Sequence, residues 1–127
     1  MYKKLTPVLI VDAIEPVLPF WEALGFERTA EVPHGDRLGF VILNSGAVEV
    51  MYQTRASVGD DLPAALQDAP PGTADLFITV DDLDAVAARI PKNAPVLVAR
   101  RTTFYGADET IVRDPAGNVI CFAKMAD

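Results

Sequence analysis

The segment Val11-Asp12-Ala13-Ile14-Glu15 returns 69 residues later as Val80-Asp81-Asp82-Leu83-Asp84. Each time it joins an apolar, β-branched run to a stretch with apolar residues at helical spacing. The later extended segments overlay at 72 residues, which places Glu49 over Cys121, and the extra residues fall in loops. Two anchors in the same order point to a duplicated supersecondary unit. A chain of 127 residues has room for two such units and one substantial core. The expected fold is a single α+β domain over residues 1–127, made of two tandem βαβββ modules, about 1–54 and 74–127. Their curved sheets are expected to line a cleft.

The first copy reads as a strand over Leu5–Val11, a helix over Ile14–Leu24 and extended segments over Phe26–Glu31, Arg37–Leu43 and Ala47–Gln53. Pro16 fits a first helical turn, Pro19 should distort the start, and Gly25 can end the helix. Asn44-Ser45-Gly46 marks a hairpin. The second copy reads as a strand over Leu76–Val80, a helix over Asp82–Ile90 and strands over Val96–Thr102, Glu109–Val112 and Val119–Lys124, with Asp114-Pro115-Ala116-Gly117-Asn118 as a strong turn. Arg55–Gly72 is a polar connector, long enough to cover a ligand, with a helical turn or two expected between Asp61 and Asp68.

Eighteen acidic side chains against 11 basic ones give a net charge of −7, which works against nucleic acid or an anionic membrane as partner. The lone Cys121 cannot form an internal disulfide. No apolar stretch approaches a membrane span, and the N-terminus does not read as a secretory leader. A cytoplasmic protein is expected. There is no phosphate-binding glycine loop, HExxH, CxxC or nucleophile elbow.

Side chains alternate across a strand, so the parity that sends Leu5, Leu9 and Val11 toward a helix leaves Thr6 on the other face. The same reasoning puts Glu49 with Met51, Asp75 with Phe77 and Thr79, and Cys121 with Val119 and Ala123. Thr6 with Asp75 and Glu49 with Cys121 are pairs related by the duplication, expected to converge on one centre. Phe104 and Tyr105 add flat apolar surface beside Met51 and Phe77. The expected ligand-binding set is therefore Thr6, Glu49, Met51, Asp75, Phe77, Phe104, Tyr105 and Cys121, with no catalytic residue, resident metal or cofactor assigned. Cys121 and Trp21 also read as core residues, and His34, in Pro33-His34-Gly35-Asp36, as an exposed loop residue. Arg100 and Arg101 point to opposite faces, so at most one enters the cleft.

The restart after Leu9-Ile10-Val11, the helix ending Phe20-Trp21-Glu22-Ala23-Leu24-Gly25-Phe26, the second-copy Val80-Asp81-Asp82-Leu83, and Phe104-Tyr105-Gly106 before Asp114-Pro115-Ala116-Gly117-Asn118 resemble the vicinal oxygen chelate superfamily over nearly the whole chain. That group holds glyoxalase I, extradiol dioxygenases, fosfomycin-resistance enzymes and bleomycin-binding resistance proteins. The resemblance implies His at Thr6, a carboxylate or His at Glu49, His at Asp75 and Glu at Cys121 as ligands of a divalent ion. Only Glu49 matches. It also implies a homodimer.

A retained scaffold with a depleted ligand set favours non-catalytic binding or sequestration of a small aromatic or cationic molecule, similar to the bleomycin resistance proteins. The competing reading is a metal-dependent lyase, isomerase, transferase or dioxygenase, in which Glu49 or Asp75 holds the ion or moves a proton. A third is an inert domain whose cleft is filled by side chains.

Overall fold

The computed structural model describes residues 1, 4–66 and 73–126. They divide into two compact units, Met1–Pro71 and Gly72–Asp127. In the first, β1 (Val8–Val11) leads through a 3₁₀ turn, Glu15–Val17, into α1 (Leu18–Ala23), then β2 (Glu27–His34), β3 (Arg37–Ser45), β4 (Val48–Thr54) and α2 (Arg55–Asp61). In the second, β5 (Asp75–Thr79) is succeeded by α3 (Leu83–Arg89), β6 (Val96–Thr102), β7 (Ala107–Arg113) and β8 (Val119–Met125). Each unit is a curved four-stranded sheet, in the order β1-β4-β3-β2 and β5-β8-β7-β6. The first and last strands of each are parallel and the others antiparallel. The two βαβββ modules expected from the repeat are both present.

The prolines divide the first helix. Pro16 sits in the 3₁₀ turn, where Leu18 N–H donates to the Glu15 carbonyl. Pro19, without an N–H to continue the ladder, occupies the first turn of α1. Gly25 ends the helix with φ at 93°, a conformation in which a side chain would clash with its own backbone. Its N–H bonds to Glu22 O at 3.0 Å, and Phe26 N–H reaches Trp21 O at 3.0 Å.

That helix buries Val17, Leu18, Phe20 and Trp21. Trp21 has no solvent exposure and meets Phe20 and Phe26 edge to face. Its indole N–H donates to the Tyr52 hydroxyl of β4 at 2.7 Å. Along β4, Val50, Tyr52 and Thr54 are buried, alternating with half-buried Glu49, Met51 and Gln53. The helix-facing core and the opposite, chemically mixed face are thus set by strand parity.

In the second unit Asp82 caps α3, its Oδ1 accepting Ala85 N–H at 3.1 Å, and Leu83 is buried. Asp114 Oδ1 accepts the N–H groups of Ala116 (3.0 Å) and Asn118 (2.7 Å), which closes the β7–β8 turn. Asn118 Oδ1 in turn accepts Ala74 N–H at 2.9 Å, tying that turn to the start of β5.

Three expectations need correction. The overlay that put Cys121 in the place of Glu49 fails in the pairing register. Val8 lies opposite Met51, but its counterpart Phe77 lies opposite Cys121, and Asp75 lies opposite Val119. The five-residue turn Asp114–Asn118 is longer than the Gly46-Ala47 connection of the first unit, and that difference shifts the register. Secondly, the helical part of the connector begins earlier, as α2, whose first turn is capped by Thr54 Oγ1 accepting Ser57 N–H at 3.1 Å. A 3₁₀ turn covers Pro63–Leu66, and the rest of the connector, 67–72, lies outside the described residues. Thirdly, His34 is no loop residue: it closes β2, half-buried, with Nε2 at 2.7 Å from Asp60 of α2. Among the described residues no helix is long and apolar enough to cross a membrane.

Tyr52→Phe strands the buried Trp21 N–H, so it should cost about 1–3 kcal/mol. Urea unfolding monitored by fluorescence of Trp21, the single tryptophan, should show a lower midpoint with an unchanged slope.

Candidate functional site

In the first unit the polar chemistry gathers on Glu49, on the face of β4 turned from the helix. Oε1 accepts a hydrogen bond from Thr6 Oγ1 at 3.0 Å and lies 2.8 Å from the Lys4 ammonium. Oε2 accepts from Asn44 Nδ2 at 3.0 Å, across the β3–β4 pair. The Lys4 ammonium, then Asn44 and Thr6, hold the Glu49 carboxyl down at about 2. Thr6 and Glu49 are thus brought together, but as donor and acceptor. Met51 comes next on the same face, half-buried and opposite Val8.

In the second unit Asp75 is exposed at the head of β5, and Phe77 stands two residues along, half-exposed, opposite Cys121. Phe104 and Tyr105 form the β6–β7 turn, which Gly106 closes with φ at 81°. Phe104 is fully exposed and Tyr105 is 47% exposed, their rings 5.3 Å apart and edge to face.

Two residues outside the expected set organise this region. Glu109 of β7 has no solvent exposure and lies beside Arg101 across the β6–β7 pair. Its Oε1 accepts from Arg101 Nε at 2.9 Å and its Oε2 from the Tyr105 hydroxyl. The Cys121 thiol is a further donor to it. These donors, the Tyr105 hydroxyl foremost, hold the Glu109 carboxyl below the usual range against the effect of burial. Burial, and then the neighbouring Glu109 charge, push the Cys121 thiol up to about 11. Cys121 is therefore a buried neutral thiol, without the activation a nucleophile needs. A signal for Glu109 exists in the sequence, since it shares strand parity with Ala107 and Ile111 and is a charge between two apolar neighbours on that face. The expected split of the arginines holds: Arg100 turns the other way, to Asp84 of α3 at 2.6 Å.

The divalent ion implied by the resemblance does not fit this donor set. Glu49 already accepts from an ammonium, an amide and a hydroxyl, Cys121 is protonated well above neutral pH, and Asp75 faces Val119. Among the described residues no group of three His, Cys, Asp or Glu side chains could hold a metal ion.

Residues 5–122 match the Glyoxalase/Bleomycin resistance protein/Dioxygenase superfamily. The chain belongs to that superfamily. Among solved structures, TioX from Micromonospora sp. ML1 is 16% identical with a TM-score of 0.79, covering 98% of this chain and 100% of its own. Lactoylglutathione lyase from Agrobacterium tumefaciens is 18% identical with a TM-score of 0.74, over 96% of this chain and 92% of its own. A glyoxalase/bleomycin resistance protein/dioxygenase family enzyme from Burkholderia phytofirmans PsJN is 16% identical with a TM-score of 0.72, over 95% and 97%. Likeness at this identity shows the fold alone. No curated protein sequence matches the chain.

Glu49 makes stability pH-dependent. Its folded pKa lies below the ordinary value of about 4.3, so its contribution is complete above that value and is lost as pH falls toward 2. Glu109 acts in the same direction. Urea midpoints should fall steadily from about pH 5 to pH 2, and Glu49→Gln should flatten that slope while Glu27→Gln, at an exposed position, should not.

Proposed function

We propose that this protein binds a small aromatic or cationic molecule without making or breaking bonds in it, a sequestration role of the kind the resemblance to bleomycin resistance proteins implies. The observation that carries this reading is the internal use of the polar groups. Of the carboxylates that face away from the helices, Asp75 is exposed, whereas Glu49 and Glu109 are each held by several donors of the chain itself. A general base or metal ligand needs a free lone pair at the reacting atom, and most of those on Glu49 and Glu109 are engaged by the chain's own donors. Apart from the exposed Asp75 and Arg101 side chains, what is left open to a ligand is apolar and flat. Phe77, Phe104 and Tyr105 are exposed, and Met51 is half-buried. Large rings exposed singly need no explanation, but an aromatic pair at one turn gives a stacking surface.

On this reading Met51 in the first unit and Phe77, Phe104 and Tyr105 in the second supply contact area, while Thr6 and Glu49 in the first and Asp75 and Cys121 in the second set the polarity beside them. The protein works in the cytoplasm as a homodimer, and sedimentation equilibrium would give twice the mass of the chain.

A panel of planar aromatic compounds, some carrying ammonium groups, should contain members that raise the melting temperature saturably. At a hundredfold excess over Kd the gain is about 2.7 kcal/mol. Chelation with EDTA should leave the effect unchanged, and Phe77→Ala or Phe104→Ala should reduce it. Protection that disappears on chelation and returns with a divalent ion would instead establish metal-dependent chemistry.

A further inference from the structure

The Glu109 cluster does more than fill space. Burying a carboxylate without solvent is costly unless it is paired and hydrogen-bonded, and here three donors meet it, from β6, the β6–β7 turn and β8. The arrangement of one of them is unusual. Arg101 uses Nε to bind Glu109, which leaves the edge formed by its two terminal amino groups unused. Among the described residues neither has a hydrogen-bond partner, and the side chain is half exposed. A guanidinium free to move would lose entropy on capturing a ligand, whereas one pinned at Nε has already lost it. Beside it stand the Tyr105 ring, whose hydroxyl is fixed to the same carboxylate, and the fully exposed Phe104 ring.

We propose that Arg101, held in place by Glu109, is an oxyanion-binding group that takes the carboxylate of an aromatic ligand while the rings of Tyr105 and Phe104 take its flat body. The two terminal N–H groups of a guanidinium match the two oxygens of a planar carboxylate. Glu109 lowers the net attraction by carrying the opposite charge, but that charge is shared among Arg101, Tyr105 and Cys121, so orientation is its main contribution. The inference rests on the small-molecule binding proposed above and narrows it to a ligand class: a planar aromatic acid. The opposite choice, an organic cation, would meet Glu49 and Glu109 already paired with Lys4 and Arg101.

The test uses the full chain and three naphthalene probes of equal size: 2-naphthoate, 2-naphthalenemethanol and 2-naphthylmethylammonium, with acetate and inorganic phosphate as ring-free anions. Titration calorimetry should show 2-naphthoate binding at least tenfold more tightly than the other two rings, with acetate and phosphate weaker still. Arg101→Gln should erase the preference for naphthoate over the alcohol. Arg101→Lys should not restore it, because an ammonium cannot bind Glu109 through one nitrogen and offer two more. Should either variant fail to fold, the Arg101 side-chain Nε–H resonance of the unaltered protein gives the same answer, shifting on addition of naphthoate and not of the alcohol. Equal binding of naphthoate and the alcohol, or an unshifted resonance, would overturn the assignment. Preference for the ammonium probe would overturn it while leaving small-molecule binding intact. If none of the three rings binds, the assignment falls together with the aromatic reading on which it stands.

Discussion

Parallel pairing between the first and last strand of each unit dictates most of the architecture. A hairpin cannot join parallel neighbours, so the chain must cross over the sheet, and α1 and α3 are those crossings. The helix occupies one face and claims every second side chain of the strands beneath it. In the first unit these are Leu9, Val11, Val41, Leu43, Val50 and Tyr52, all buried. The remaining parity is released from packing against the helix, and the polar residues with chemical interest lie there: Thr6, Glu49, Asp75, Glu109 and Cys121.

The two units have used that freedom differently. The first has built a charged knot on β4 in which an ammonium lies against the Glu49 carboxylate. The second has moved its carboxylate one strand over, to β7, where the pairing register makes Phe40 of β3 the counterpart of Glu109. Both acids are held below the ordinary carboxylate range by donors, but with different exposure, since Glu49 keeps 14% of its side-chain surface and Glu109 none. A buried acid with three donors ties together the segments that supply them. Losing one donor leaves charge without compensation, so the β6–β7 turn, β7 and β8 are linked through one side chain.

Parity is legible in a sequence, and it is recovered well here. Two βαβββ modules, the helix-facing residues, the proline-distorted helix start, the Asp114–Asn118 turn and the divergence of Arg100 from Arg101 all derive from alternation, helical spacing and the backbone limits of Pro and Gly. Register is not recoverable in that way. Turn geometry sets which residue of one strand lies opposite which residue of another, and the Asp114–Asn118 turn is longer than the Gly46-Ala47 connection of the first unit. Overlaying the sequences therefore matched Cys121 to Glu49, while in the sheet Val119 takes that place. Glu109 escaped notice for a related reason. Its partners Arg101, Tyr105 and Cys121 come from other elements, and only pairing and the turn at Gly106 bring them to it. His34 reads as a loop residue from Pro33 and Gly35, yet strand β2 continues through Pro33 at a register irregularity.

That register difference matters to anyone who would build a metal centre on this scaffold. Changing Cys121 to Glu, the substitution the family pattern invites, would set a second acid against Glu109 and opposite Phe77. The residue across from Asp75 is Val119. Single substitutions at the positions the family pattern points to lead into a crowded corner, and a carboxylate placed across from Asp75 would have to stand at Val119.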